Sequence, residues 1–271
     1  MFFYGFMQRA FQASTLIAII APILGLTLIL RRQSLLADTL SHVSLAGVAL
    51  GMLIGVNPTF TTILVVILVA VGMEYLRTVF RGYSEISIAI LMSTGMAVAL
   101  VLMSFVSGQQ TASVEQFLFG SIVTIDQEQI LVLLILTIVL VVLFTIFRRP
   151  LYVLLFDEDT ALTAGVPTRW LSLSISIITG ISISVIMPIT GTLLVSAILI
   201  LPAAIAMRLV TSFKQVIWLG ILIGLIGMYG GLFASYEFGT PPGATITLMF
   251  VGLFIMTSVI KAFTTKVKSE Q

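Results

Sequence analysis

The chain has no cysteine, a single histidine among 271 residues, and few charges: 13 Lys and Arg and 11 Asp and Glu, 9% in all. Without cysteine there can be neither disulfides nor thiolate metal ligands. A charged fraction so far below the ~25% of soluble domains, beside 59% hydrophobic residues and a mean hydropathy of +1.21, excludes an ordinary soluble domain. The composition is that of a polytopic membrane protein. A GxxxxGK[ST] phosphate loop is also missing, because Lys214 and the three lysines near the C-terminus follow no such glycines. The opening MFFYGFMQRAFQ is aromatic, holds one arginine and precedes a full-length apolar stretch, so it does not read as a cleaved signal peptide. A pI near 9.0 could suggest nucleic acid. The basic residues stand singly between apolar spans, however, and membrane orientation accounts for them better.

A crossing helix needs ~20 largely apolar residues. On that basis the sequence predicts an all-α bundle of about nine spans, at 13–31, 35–56, 59–80, 86–106, 129–147, 170–187, 190–209, 215–235 and 242–262. Two connections are long, 107–128 and 148–169. Placing the N-terminus outside puts twelve of the thirteen basic residues on the inner side and leaves only Arg9 outside, a strong positive-inside bias. The C-terminal tail is then cytoplasmic. Outer loops carry Glu115, Asp126, Glu128 and Glu237 against Arg9, a net of −3, which favours an arriving cation.

The stretch LADTLSHVS, Leu36 to Ser44, begins the second span and contains Asp38 and His42. Four residues apart, the two share one helix face about a turn from each other. Carboxylate and neutral imidazole both ligate zinc and other first-row divalent metals, and an ionisable residue in a span is a functional hypothesis by default. A second reading fits the spacing equally: if the span starts near Leu40, Asp38 caps its N-terminus in the headgroup zone. Two ligands are too few for zinc, which takes about four, and a symmetric homodimer would supply two aspartates and two histidines. Gly47, Gly51 and Gly55 repeat every four residues, a small-residue ridge for close helix packing. Gly47 lies about 180° from Asp38 at 100° per residue, so one face can pack while the other presents ligands.

The string Asp38-Thr39-Leu40-Ser41-His42-Val43-Ser44-Leu45-Ala46-Gly47-Val48-Ala49-Leu50-Gly51 closely resembles the second-helix signature of the zinc/manganese (ABC-3) permeases of ABC importers. Gly191-Thr192-Leu193-Leu194-Val195-Ser196, continuing to Pro202-Ala203-Ala204, and Pro241-Pro242-Gly243-Ala244-Thr245-Ile246 resemble two further blocks of that family. The resemblance covers essentially the whole chain. One departure stands out: Gly239 occupies a place where the family often has an acid, which puts any ligand or gating role of that acid in doubt here.

The resemblance implies a type II ABC importer-like permease, a single transmembrane domain over 1–271 in a bacterial plasma membrane. It also implies a homodimer, an extracellular metal-binding solute-binding protein and a separate cytoplasmic ATP-binding pair. No cofactor is held permanently, and the divalent metal is cargo. DTLSHVSLAG looks closer to the zinc branch than to the manganese branch. The segment 156–170, FDEDTALTAGVPTRW, reads as a short cytoplasmic helix that Asp159 can cap and Gly165 can close. Its Asp159-Thr160-Ala161 followed by Gly165 resembles, loosely, the coupling motif of ABC permeases, which makes Asp157, Glu158, Asp159 and Gly165 the expected ATPase-coupling residues; without the family, an ordinary loop helix would serve.

Other features read as structure. Glu74 and Arg77 form a local i, i+3 pair, and Glu85 a helix-start charge. Ser172, Ser174, Ser176, Ser182 and Ser184 serve as small packing residues, and Phe117 to Gly120 as an interfacial or re-entrant piece. Rival functions are a secondary cation transporter, for which internal repeats and relay charges are missing, and a chelate permease or membrane scaffold, neither of which needs the Asp38/His42 pair.

Overall fold

The computed structural model describes residues 5–79, 84–106, 117–122 and 125–269. Among these residues there are ten helices and no strand: α1 (Gly5–Leu30), α2 (Ser34–Ile54), α3 (Pro58–Val79), α4 (Ser84–Phe105), α5 (Gln127–Phe156), α6 (Glu158–Thr163), α7 (Thr168–Thr190), α8 (Val195–Leu209), α9 (Phe213–Phe238) and α10 (Pro242–Ser269). A further single helical turn lies at 117–119. Lipid offers no hydrogen bonds, so each apolar run must satisfy its own backbone, and a helix does so within one segment.

Among the described residues, eight helices are long and apolar enough to cross a membrane. The expected seventh span falls short: α8 has 15 residues, ~22 Å of helix against a hydrocarbon core of ~30 Å. Residues 191–194 form a turn in its place, beginning at Gly191 (φ 89). At α5 the correction runs the other way. The helix passes through Arg148, Arg149 and Pro150 to Phe156 and reaches 30 residues, so most of the expected inner connection is helical. Asp126 and Gln129 start α5 with reciprocal side-chain to backbone bonds of 2.8 and 3.3 Å.

The centre of the bundle is α1 and α2, enclosed by α3, α4, α7, α8 and α9. Small residues set the helix approaches. A Cβ on Gly25 would stand 2.2 Å from the Leu199 carbonyl oxygen, and one on Gly220 2.6 Å from Pro22 Cβ. Pro22 frees the carbonyl of Ala18, and Gly224 of α9 leaves that oxygen room, since a Cβ there would be 3.1 Å away. By contrast α3, α4, α5 and α10 turn Leu68, Leu100, Ile138 and Leu248 outward, 54 to 70% exposed. Apolar surface of this extent on the outside is what a lipid-facing bundle presents.

Candidate functional site

Asp38 lies in the second turn of α2, because the helix begins at Ser34 behind an N-cap, Gln33, that makes no side-chain bond. The capping role open to Asp38 from sequence is therefore not the one it fills. The Asp38 side chain is partly exposed and receives a long bond, 3.4 Å, from Ser196 Oγ of α8. His42, one turn further, is 8% exposed. Around α2, Gly47 and Gly51 meet α3, Leu40 and Ser44 meet α7, and Val43 meets Gly95 of α4. At 100° per residue these neighbours leave the Asp38/His42 face between α4 and α8.

Access along that face falls steadily: Leu35 is 57% exposed, His42 8% and Leu45 4%. Leu45 and Ala46 pack with Ala99 and Met103 of α4 and with Phe117 and Leu118. The segment 117–121 is tied down by backbone bonds, Thr192 to Phe117 (3.0 Å) and Ser121 to Pro188 (3.4 Å). The pair is thus reachable from the Leu35 end and sealed at the Leu45 end. Ser196 of the second sequence block reaches Asp38 of the first, and the third packs on the second: a Cβ on Gly243 would lie 2.9 Å from Leu194 Cδ1.

Among the described residues no cluster of three or more His, Asp or Glu could hold a metal. One copy supplies Asp38 and His42 and, from α8, a hydroxyl. The glycines divide. A Cβ on Gly47 would sit 2.6 Å from Thr62 Cα and one on Gly51 2.8 Å from Pro58 Cα, so both are packing positions. Gly55 is not: nothing lies within 4 Å of its Cβ position, and it ends α2 in the left-handed region (φ 71), where side chains are strained. Gly239 likewise ends α9, at φ 62.

In the connection after α5, Asp157 rather than Asp159 caps α6. Its carboxylate accepts from the backbone N–H of Asp159 and Thr160, both 3.1 Å, and from the Thr160 hydroxyl. The Thr160 hydroxyl and amide, then the Asp159 amide, hold the Asp157 carboxyl below the usual carboxylate range. Asp159 comes second because Asp157 directly precedes the first helical residue, where the free N–H groups point. Gly165 (φ 76) closes the helix, with Val166 N–H donating to Ala161 O (3.0 Å) and Gly165 N–H to Leu162 O (3.1 Å).

Sequence reasoning missed a polar network joining α6 to the turn before α2. Glu158 takes both carboxylate oxygens to Arg77 of α3, at 2.8 and 2.7 Å. Arg77 lies 3.5 Å from Glu74 and 2.9 Å from Ser172 Oγ of α7. Ser172 Oγ donates to Glu74 at 2.7 Å and also accepts from Arg31, which lies 3.9 Å from Glu74. The Arg31 and Glu74 side chains are 7 and 15% exposed, Glu158 50%. Arg31 reads in the sequence as one more inner-loop charge, and Ser172 as packing; in the fold Arg31 is buried and Ser172 is the network's hub. Only the acid Glu74 within an apolar run signalled it.

The ABC 3 transport family model matches residues 3–261. A probable metal transport system membrane protein of Treponema pallidum is 32% identical over 93% of this chain and 94% of its own. The manganese transport system membrane protein MntC of Listeria innocua is 29% identical, over 93% and 90%. The high-affinity zinc uptake system membrane protein ZnuB of Buchnera aphidicola is 22% identical, over 93% and 96%. Among solved structures, PsaBC from Streptococcus pneumoniae in complex with Fab superposes with a TM-score of 0.83 at 27% identity, covering 94% of this chain and 91% of that one. With the family model spanning nearly all of its length, this membrane-integral chain belongs to the ABC 3 transport family.

Proposed function

We propose that the chain is the permease subunit of an ABC importer carrying a divalent first-row metal ion into the cytoplasm of a bacterium. The observation that carries this is the pair itself: in a chain of this family, a carboxylate and an imidazole stand one turn apart on the face of α2 between α4 and α8. Two copies facing each other would contribute Asp38 and His42 twice, giving the four ligands zinc takes. Such a site exchanges the ion's water shell for protein ligands and must release it again, so transient binding is expected.

The inner end of the chain supports a coupling role for α6. Asp157, Glu158, Asp159 and Gly165 would form the surface on which a separate ATP-binding subunit docks. Movement of α6 would pull on Arg77 through Glu158, then on Glu74, Ser172 and Arg31, seven residues before Asp38. An extracellular metal-binding protein would deliver the ion at the opposite face.

Zinc fits a set of two carboxylates and two imidazoles; manganese, which favours more oxygen ligands, is the second reading, supported by the manganese-named relative. The test is uptake of labelled zinc and manganese by cells expressing the whole importer, with Asp38→Asn and His42→Ala at equal membrane expression. Entry of one metal, lost in both variants, names the cargo and upholds the pair. Undiminished uptake in His42→Ala would remove the ligand role.

A further inference from the structure

On the outward side of the bundle a crevice of about 1060 Å3 opens between α1, α5 and α9. Its walls are apolar, with Ile138, Val141 and Val142 of α5 facing Ile217 and Ile221 of α9 over Ile23 of α1. The two threonines in it offer little to a polar guest, because Thr137 and Thr145 each spend their hydroxyl on a carbonyl of their own helix, at 2.7 Å. Aromatic contacts join α5 to α9 at its inner end. Phe213 of α9 stacks on Phe144 at 6.1 Å and takes Tyr152 edge-on at 5.4 Å.

The inner rim is cationic. Arg148 and Arg149 line it from α5 and Lys214 from the first turn of α9. Among the described residues none of the three has a carboxylate within ion-pair distance. Arg148 follows Gln127, the first residue of α5, by 21 positions, ~32 Å of helix, so the rim sits where a hydrocarbon core of ~30 Å ends. Trp218 and Tyr152 flank it one turn away on each helix, both exposed, as amphipathic rings are at an interface.

We propose that this crevice binds one anionic glycerophospholipid, its phosphate held by Arg148, Arg149 and Lys214 and an acyl chain lying along the α5–α9 wall. A zwitterionic lipid would fill the walls, but its own ammonium already offsets its phosphate and would stand among three cations; an anionic headgroup brings a net negative charge and no such ammonium. A soluble anion would match the rim and have no use for an apolar trough leading from it. The site is independent of which metal is carried.

The test uses the complete importer in nanodiscs of equal phosphatidylglycerol and phosphatidylcholine, with retained lipid counted by native mass spectrometry. Wild type should keep phosphatidylglycerol in preference to phosphatidylcholine. The triple variant Arg148→Gln, Arg149→Gln, Lys214→Gln should lose that retention about ten-fold or more. Val141→Trp, which fills the trough without altering charge, should lose it too. Arg32→Gln, an exposed cation in the turn before α2, should retain lipid as wild type does. Equal retention of the two lipids by wild type, or unchanged retention in the triple variant, overturns the assignment. So does displacement of the lipid by inorganic phosphate with Val141→Trp unaffected, which would make the rim a phosphate site with no chain in the crevice.

Discussion

Replacing Glu74 by leucine removes the acid that lies, among the described residues, within ion-pair distance of the buried Arg31, and leaves only the more distant Glu158. The Arg31 side chain is 7% exposed, and without Glu74 it shares Ser172 with a second cation, Arg77, while its nearest carboxylate is gone. Breaking a buried pair by deleting one partner costs ~3–5 kcal/mol, because the other charge is left uncompensated. Glu74 is 15% exposed, so the lower end, about 3 kcal/mol, is the expectation for Glu74→Leu. The double variant Arg31→Met, Glu74→Leu takes out both charges and leaves Arg77 on Glu158 at 2.7–2.8 Å. It should be destabilised by less than the sum of the two single variants, with a coupling of about 2 kcal/mol. Unfolding by SDS in mixed micelles, on the four members of the cycle, measures this directly. If the single effects add to within ~0.5 kcal/mol, Arg31 and Glu74 do not interact, and the network is no more than a set of separate surface contacts.

The inner end of the network gives a functional counterpart. Arg77→Glu and Glu158→Arg should each uncouple ATP hydrolysis from metal uptake, and the exchanged pair should recover part of it, measured as metal moved per ATP in proteoliposomes. At the packing face, Gly47→Leu pushes side-chain atoms into the backbone of α3, with Cβ already 2.6 Å from Thr62 Cα, and should cost ~1–3 kcal/mol. Gly51→Leu should do the same, whereas Gly55→Leu, with open space around it, should cost only the left-handed backbone. Because the Asp157 carboxyl is held below its ordinary value, its cap on α6 is fully present above about pH 4 and is lost as pH falls through the lowered value. Protection factors of the Ala161 and Ala164 amides, which divide out the intrinsic pH dependence of exchange, should fall over that acid range in the wild type. In Asp157→Ala they should be low at every pH, and high, pH-independent protection in that variant would remove the cap.

The bundle was legible because lipid leaves an apolar run of twenty residues few options other than a helix; composition and loop charge alone give most of the crossings. Where the reading strayed, tertiary contacts intervened. α8 gave up its first turn, where the Thr192 and Leu193 amides donate to the Phe117 and Leu118 carbonyls. α5 ran on past two arginines and a proline because its continuation packs Leu151 and Leu154 against Ala161 and Ile175. Spacing put Asp38 and His42 on one face, and the glycine repeat put Gly47 behind them. Whether Asp38 was a cap or a group inside the helix depended on where α2 starts, and a buried turn at Gln33 set that.

What the sequence by itself determined is local: helices long enough to span, and the chemistry offered by one aspartate and one histidine a turn apart. What only the tertiary structure decided is which distant residues share a neighbourhood. Arg31, the Glu74/Arg77 pair of α3, Glu158 and Ser172 come from four separate segments, and Asp38 and Ser196 are 158 positions apart. Helix periodicity orders side chains within one element, but it carries no information on which faces of different helices meet, and both the polar network from Arg31 to Glu158 and the packing over Leu45 are made where they meet.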